Sequence, residues 1–238
     1  MPDATRRLVD LSHEVGDGVI TYPGLPAPVI TDHLSWDASH SHYAAGTEFQ
    51  IGRIEMIANT GTYLDTPSHR FEGKPDLSAL PLGALANLEG LTLRPRLAGR
   101  AIDAAALGLS PDLRRPAERG SGGGAADVRG KAVLVQTGWD RHFGTPAYGQ
   151  GHPYLTRDAA ERLRDGGAAL VGIDSLNIDD TADGARPVHT LLLGAGILVV
   201  EHLTNLAALP AAGFRFFAVP PRIRGMGTFP VRAFALVS

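Results

Sequence analysis

Residues 168–201 read AALVGIDSLNIDDTADGARPVHTLLLGAGILVVE, and they decide the fold class. Ala168 to Ile173 is a short apolar run, the pattern of a buried strand. Val188 to Leu193 follows a proline and stops at Gly194, which reads as a short helix. Ile197 to Glu201 is apolar again and ends on a carboxylate. Strand, helix and strand at this spacing predict an α/β domain with a mostly buried sheet.

The flanks extend the same alternation. Ala132 to Gln136 reads as a further buried strand. Thr156 can cap a helix running through Arg164, with Asp158 in its first turn and Gly166 and Gly167 just past its end. Phe214 to Val219 and Val231 to Val237 look like late strands. Upstream, Gln50 to Ala58 is apolar and alternates imperfectly, so a strand is predicted there. Asn59 to His69 follows as a loop set by glycine and proline. Residues 9–35 hold Tyr22-Pro23-Gly24-Leu25-Pro26 and read as an extended N-terminal arm. Residues 110–130, SPDLRRPAERGSGGGAADVRG, read as a flexible surface loop. Its glycine run lacks a following Gly-Lys-Ser/Thr, so it is no phosphate-binding loop. No internal repeat occurs, and a single domain over 1–238 is expected.

Composition narrows the function classes. The 238 residues are 44% hydrophobic and 20% charged, ordinary values that argue against disorder. A formal net charge of −3 offers no general attraction to nucleic acid or to an anionic membrane. The chain has no cysteine, which removes disulfides, thiolate metal sites and cysteine nucleophiles. A transition-metal site would have to use histidine and carboxylate. The start, MPDATRRLVDLSHEV, has two arginines but no apolar stretch behind them, unlike a signal peptide. No run of about 18 apolar residues is present. A cytoplasmic location is the expectation.

Two clusters carry chemistry. The first is Asn59-Thr60-Gly61-Thr62-Tyr63-Leu64-Asp65-Thr66-Pro67-Ser68-His69, which puts a carboxylate and an imidazole in one loop after a strand. A carboxylate that can bind metal beside an imidazole that can move protons suits hydrolysis. Alone, such a pair is more often a turn cap and a surface residue. The second cluster runs from His189, at the start of a helix, to Glu201, twelve positions on at the end of a strand. Sites in open α/β sheets gather at the carboxyl ends of strands. Glu201 could also be merely the first polar residue after the core, and Asp174 stands under the same two readings. His40 and His42 read as solvated surface, and His202 as a packed residue on the opposite face from Glu201.

The chain resembles the cyclase family that includes bacterial kynurenine formamidase and isatin hydrolase. Its signature, His-x-Gly-Thr-His-x-Asp-x-Pro-x-His, is matched at Gly61, Thr62, Asp65, Pro67 and His69, and the distant His–Glu pair at His189 and Glu201. Further similar stretches are Asp10-Leu11-Ser12, Tyr22-Pro23-Gly24, Thr137-Gly138-Trp139, Gly172-Ile173-Asp174-Ser175 and Pro230-Val231-Arg232-Ala233. The resemblance implies a swivelling β/β/α-type domain, a homodimer or homotetramer, and hydrolysis of an amide-like bond. It makes His69 the general acid or base and Asp65, His189 and Glu201 metal ligands. Asn59 and Tyr63 stand where the signature has two metal-binding histidines. The first of two metal positions is therefore expected to be weak or absent, leaving one divalent ion per chain, Zn or Mn. Asn59 and Tyr63 are then assigned to orienting the substrate or stabilising an oxyanion.

The expected activity is hydrolysis of a C–N bond in a small amide, formamide or cyclic amide. A cyclase or dehydratase of polyketide type is the alternative within catalysis, and a non-catalytic small-molecule binding protein is the alternative outside it. Trp36, Phe49, Phe71 and Trp139 lie in or near the motifs and suggest a partly apolar, aromatic substrate.

Overall fold

The computed structural model describes residues 6–109 and 126–237. In chain order the strands are β1 (Arg7–Asp10), β2 (Val29–Leu34), β3 (Ile51–Glu55), β4 (Tyr63–Asp65), β5 (Leu88–Leu93), β6 (Ala101–Ile102) and β7 (Ala132–Val135). They continue with β8 (Tyr154–Leu155), β9 (Leu170–Ile173), β10 (Leu198–Glu201), β11 (Ala212–Phe217), β12 (Thr228–Pro230) and β13 (Phe234–Val237). The α-helices are α1 (Trp36–Ser39), α2 (Pro67–Arg70), α3 (Arg157–Asp165) and α4 (Pro187–Gly194).

One nine-stranded sheet dominates, in the order β1-β13-β11-β5-β7-β9-β10-β4-β12. Its centre, β5-β7-β9-β10, is parallel, and the strands on either side are antiparallel. The period-two alternation of side chains splits the core between the two faces. Val133, Val135, Val171, Ile173 and Val199 pack against Ala159 and Leu163 of α3 and Val188 and Leu192 of α4. Leu134, Leu170, Leu198 and Val200 point the other way, onto Leu11, Leu77, Phe214 and Phe216. Both faces are covered, which is why the central strands read as unbroken apolar runs.

The strands predicted at Ala132–Gln136, Ala168–Ile173, Ile197–Glu201, Phe214–Val219 and Val231–Val237 appear as β7, β9, β10, β11 and β13, with ends shifted or trimmed. The two predicted helices are α3 and α4. Thr156 sits at the N-cap position of α3, but its hydroxyl donates to Asp158 instead of accepting a backbone N–H. No helix among the described residues is long and apolar enough to cross a membrane.

Two expectations need correction. Asn59 to His69 is not simply a loop, since it contains β4 and the single turn α2. β4 is only three residues long and lies between Gly61 and Pro67, which hid its pattern. Gly61 takes a left-handed φ of 64°, and a side chain there would press on Val15. Gln50–Ala58 is strand only over Ile51–Glu55, and that strand does not enter the main sheet. It pairs with β2 as a separate two-stranded ribbon, all five of its residues exposed. Central strand β5 went unread because Glu89 and Gly90 break its apolar run. Gly90 leaves room for the Phe214 ring, which any side chain would strike. The loop expected over 110–130 falls outside the described residues at 110–125; Ala126–Gly130 is coil and turn leading into β7.

Candidate active site

β4 and β10 run antiparallel, with Tyr63 opposite Glu201 and Asp65 opposite Val199. Val199 belongs to the core face that α4 covers. Cross-strand partners share a face, so Tyr63, Asp65 and Glu201 all point toward that helix. α4 brings His189 over them. The carboxyl ends of parallel strands and the start of a helix thus meet where the fold places sites.

His189 Nε2 lies 3.6 Å from Asp65 Oδ2 and 3.6 Å from Glu201 Oε1. One ligand atom from each of Asp65, His189 and Glu201 falls within a 4.8 Å span, and all three residues are buried. Both Asp65 oxygens are buried without a hydrogen-bond partner. Burying an ionised carboxylate unpaired is costly unless a cation answers it. Among the described residues neither Asp65 nor Glu201 pairs with a lysine or arginine. Two carboxylates and an imidazole, with orphaned oxygens, fit a divalent cation and its hard oxygen and borderline nitrogen preferences.

The surrounding groups fix these side chains. Asp179 accepts from the backbone N–H of Val188 (2.7 Å) and of His189 (3.0 Å) and holds His189 Nδ1 at 2.7 Å. This turns Nε2 toward Asp65 and Glu201, as a carboxylate behind a ligating histidine does. His152 Nε2 in turn meets the Asp179 carbonyl at 3.1 Å. Glu201 receives the Tyr63 hydroxyl proton at 2.6 Å, the Ile178 N–H at 2.6 Å and the Asn177 amide at 3.3 Å.

The electrostatics follow from this crowding. Burial pushes the Glu201 carboxyl up to about 7, against the opposing pull of His189. For Asp65 burial works in the same sense, but His189 and His69 outweigh it and hold the group below its ordinary value. Burial also disfavours a charged His189, yet Glu201, Asp179 and Asp65 prevail and lift it to about 10. Burial and the neighbouring Glu201 and Asp65 charges raise the Tyr63 phenol well above its usual range, so it remains a hydrogen-bond donor.

A cavity of about 210 Å³ opens over this floor. Asn59, Tyr63, His69, His189 and Glu201 line it, with Asn177, Arg70 and Arg186 beside them and Tyr22 and Leu25 of the N-terminal arm as a wall. The arm is tied down where the Gly61 N–H donates to Thr21 Oγ1 at 3.0 Å. His69 is the most exposed of the sequence candidates, its side chain 33% accessible, with Nε2 3.7 Å from Asp65 Oδ1. Gly227 packs on its backbone, and a Cβ there would sit 2.5 Å from His69 N.

All six sequence candidates, Asn59, Tyr63, Asp65, His69, His189 and Glu201, therefore meet in or directly beneath one cavity. The Tyr63 hydroxyl, expected to face substrate, is engaged with Glu201. Asp174 is not part of the site. It staples two loops by accepting from Thr137 N, Thr137 Oγ1 and Gly138 N, and burial raises its pKa to about 6. His40 pairs with Glu48 on the surface, and His202 is buried against the Tyr148 hydroxyl. The aromatic expectation needs correction too. None of Trp36, Phe49, Phe71 and Trp139 lines the cavity, and its aromatic walls are Tyr22 and Tyr63. Sequence reasoning missed Asn177, Asp179 and Arg186, and quoted Tyr22 only within a family-like stretch, without a role. The one signal was the polar run Asn177-Ile178-Asp179-Asp180 directly after a buried strand.

The model of the cyclase family matches residues 9–180. Kynurenine formamidase of Bordetella petrii is 26% identical over 235 residues, 96% of this chain and 97% of its own. That of Bacillus thuringiensis is 23% identical over 233 residues, with the same coverage of both chains. Among solved structures, isatin hydrolase A from Labrenzia aggregata superposes with a TM-score of 0.73 at 23% identity, covering 98% of this chain and 94% of its own. Isatin hydrolase A from Ralstonia solanacearum gives 0.75 at 21% identity, covering 98% and 92%.

Proposed function

The chain belongs to the cyclase family, and on that premise we propose that it is a metal-dependent hydrolase of a C–N bond in a small amide, formamide or cyclic amide. Relatives named kynurenine formamidase, similar along nearly the whole chain, support the reaction class. The observation that carries the reading is Asp65, buried with both oxygens unpartnered and facing His189 and Glu201 on the floor of a small cavity. Asp65, His189 and Glu201 would hold a divalent ion, which would supply Lewis acidity toward a carbonyl and toward water near neutral pH. Asp179 orients His189; Tyr63, Asn177 and the Ile178 N–H orient Glu201. His69, at the accessible edge of the same floor, delivers a proton to the departing nitrogen. Asn59 faces the same space and can donate to a developing oxyanion. The mixed donor set suits Zn or Mn.

Asn59 and Tyr63 are poor metal ligands, and the Tyr63 hydroxyl is already committed to Glu201. Protein purified without chelator should therefore hold one tightly bound divalent ion per chain by elemental analysis, and should hydrolyse members of a formamide and lactam panel. Two tightly held ions, or none together with no turnover, would overturn this reading. Asn59→His combined with Tyr63→His should raise occupancy towards two.

The reading includes a homodimer or homotetramer. Its support is the β2–β3 ribbon, which is exposed on both faces: Ile30 and Ile54 are paired on one, and Val29 and Ile51 lie on the other. Exposed apolar residues on a ribbon of this kind offer an interaction surface, and a second copy of the chain is the occupant proposed. Ile30 and Ile54 are register partners, so Ile30→Glu with Ile54→Glu puts two like charges on one of its faces. Sedimentation should show the wild type as an oligomer and the double variant shifted toward monomer. A monomeric wild type at micromolar concentration would refute the interface.

A further inference from the structure

The cavity has an acidic floor but a basic rim. Arg186 lines it at the N-terminal end of α4, and Arg70 lines it at the last residue of α2. Among the described residues neither guanidinium has a carboxylate within ion-pair distance, although Asp65, Asp179 and Glu201 lie below. Arg186 is held by the chain itself: one N–H donates to the Asp180 carbonyl at 3.0 Å. The Asp180 carboxylate is drawn off by Arg100 at 3.2 Å. Arg70 is steadied by Thr190 Oγ1, 3.1 Å from its Nε, and by the Phe71 ring below its guanidinium. Arg186 also meets the Tyr22 hydroxyl, so each guanidinium is anchored through two contacts and keeps donors over from its five N–H groups.

Arg186 also occupies an unfavourable backbone position. Its φ of 47° and ψ of 59° are left-handed, where glycine or asparagine would sit more easily. A large cationic side chain kept at such a position, on the wall of a cavity, is the kind of outlier that marks function.

Resting on the hydrolase reading, we propose that Arg186 and Arg70 form an anion-recognition subsite at the cavity mouth, and that the substrate is an amide carrying a carboxylate. Planar guanidinium donors match a carboxylate in two parallel hydrogen bonds, which fixes orientation as well as affinity. The scissile amide then lies over Asp65 and Glu201 while the charge stays at the rim. The cavity, about 210 Å³, limits the portion between them to a small ring or short chain.

Two formamides that differ only in a ring carboxylate test this: formanilide and 4-formamidobenzoate. The wild type should favour 4-formamidobenzoate in kcat/KM by about 10- to 100-fold, the range of a charge-assisted pair. Arg186→Asn keeps a residue that tolerates the left-handed backbone, and Arg70→Gln changes an exposed position. Each should erode the preference mainly through KM, leaving formanilide turnover intact. Benzoate binding, followed by calorimetry on chelator-treated protein, reads the subsite without catalysis and should weaken about tenfold or more in Arg186→Asn. Equal kcat/KM for the two formamides, or a preference unchanged with both arginines replaced, would overturn the subsite and leave the hydrolase reading standing. Conversely, no turnover of any member of the formamide and lactam panel by protein purified without chelator and found metal-free, with benzoate binding still lost in Arg186→Asn, would sink the hydrolase reading and keep the subsite.

Discussion

Replacing His189 with alanine is expected to remove the metal and the activity together. His189 supplies the one nitrogen in a donor set whose other members are Asp65 and Glu201. Without it two carboxylates remain, and no cysteine or second histidine of the set can substitute. The loss reaches beyond one ligand. The imidazole stands among Asp65, Asp179 and Glu201 at 3.6, 2.7 and 3.6 Å, so its removal leaves three buried carboxylates facing one another. Metal content by elemental analysis and turnover of the same protein sample should fall in parallel, with the far-ultraviolet spectrum showing the fold retained. Asp179→Asn provides the graded case. It keeps the ligand but weakens the acceptor behind it, and second-sphere changes of this type cost about 10–100-fold in metal affinity or activity. Full metal content in His189→Ala would place the ion elsewhere and remove the basis of the site.

The central alternation was legible because strands buried on both faces must be apolar throughout, so β7, β9 and β10 announce themselves without any knowledge of topology. β5 did not, because its pattern depends on a partner: Gly90 is explained only by the Phe214 ring across the strand. The ribbon shows the same limit from the other side. Ile51 and Ile54 look like core residues in a one-dimensional reading, and only the pairing of β2 with β3 alone, away from the main sheet, shows them exposed. At the site, Asp65, His69, His189 and Glu201 could be named because they match the spaced signature of the cyclase family; each cluster alone left a bland reading open. Asp179 and Arg186 could not. They lie in the acidic stretch Asp179-Asp180-Thr181-Ala182-Asp183-Gly184-Ala185-Arg186, which has the composition of an ordinary solvated loop. What distinguishes Asp179 is burial and three accepted hydrogen bonds, and both are consequences of how the loop folds back onto α4.

Removing the His69 imidazole should separate proton transfer from metal binding. His69 lies four residues after Asp65, beyond Pro67, and its Nε2 is 3.7 Å from the Asp65 carboxylate. That is near enough to serve the same substrate, but its side chain is 33% accessible while His189 is 8% accessible, so protons can exchange with solvent there. It also lies outside the compact set formed by Asp65, His189 and Glu201. His69→Ala is therefore expected to lower kcat by about 10²–10⁴-fold, the usual contribution of a general acid or base. Metal content should stay at the wild-type level. Gly227→Ala tests the same role without touching the imidazole. Its methyl group would meet His69 N at 2.5 Å and Cα at 2.6 Å, so the α2 turn must move and the ring with it. Turnover should fall, since small misplacements of a catalytic group are costly, while the ion remains bound. Metal loss in His69→Ala equal to that in His189→Ala would make His69 a ligand and merge the two roles. Full activity in His69→Ala would take it out of the reaction altogether, and the proton for the leaving nitrogen would then have to come from the buried floor of the cavity, where Tyr63 and Glu201 already share one.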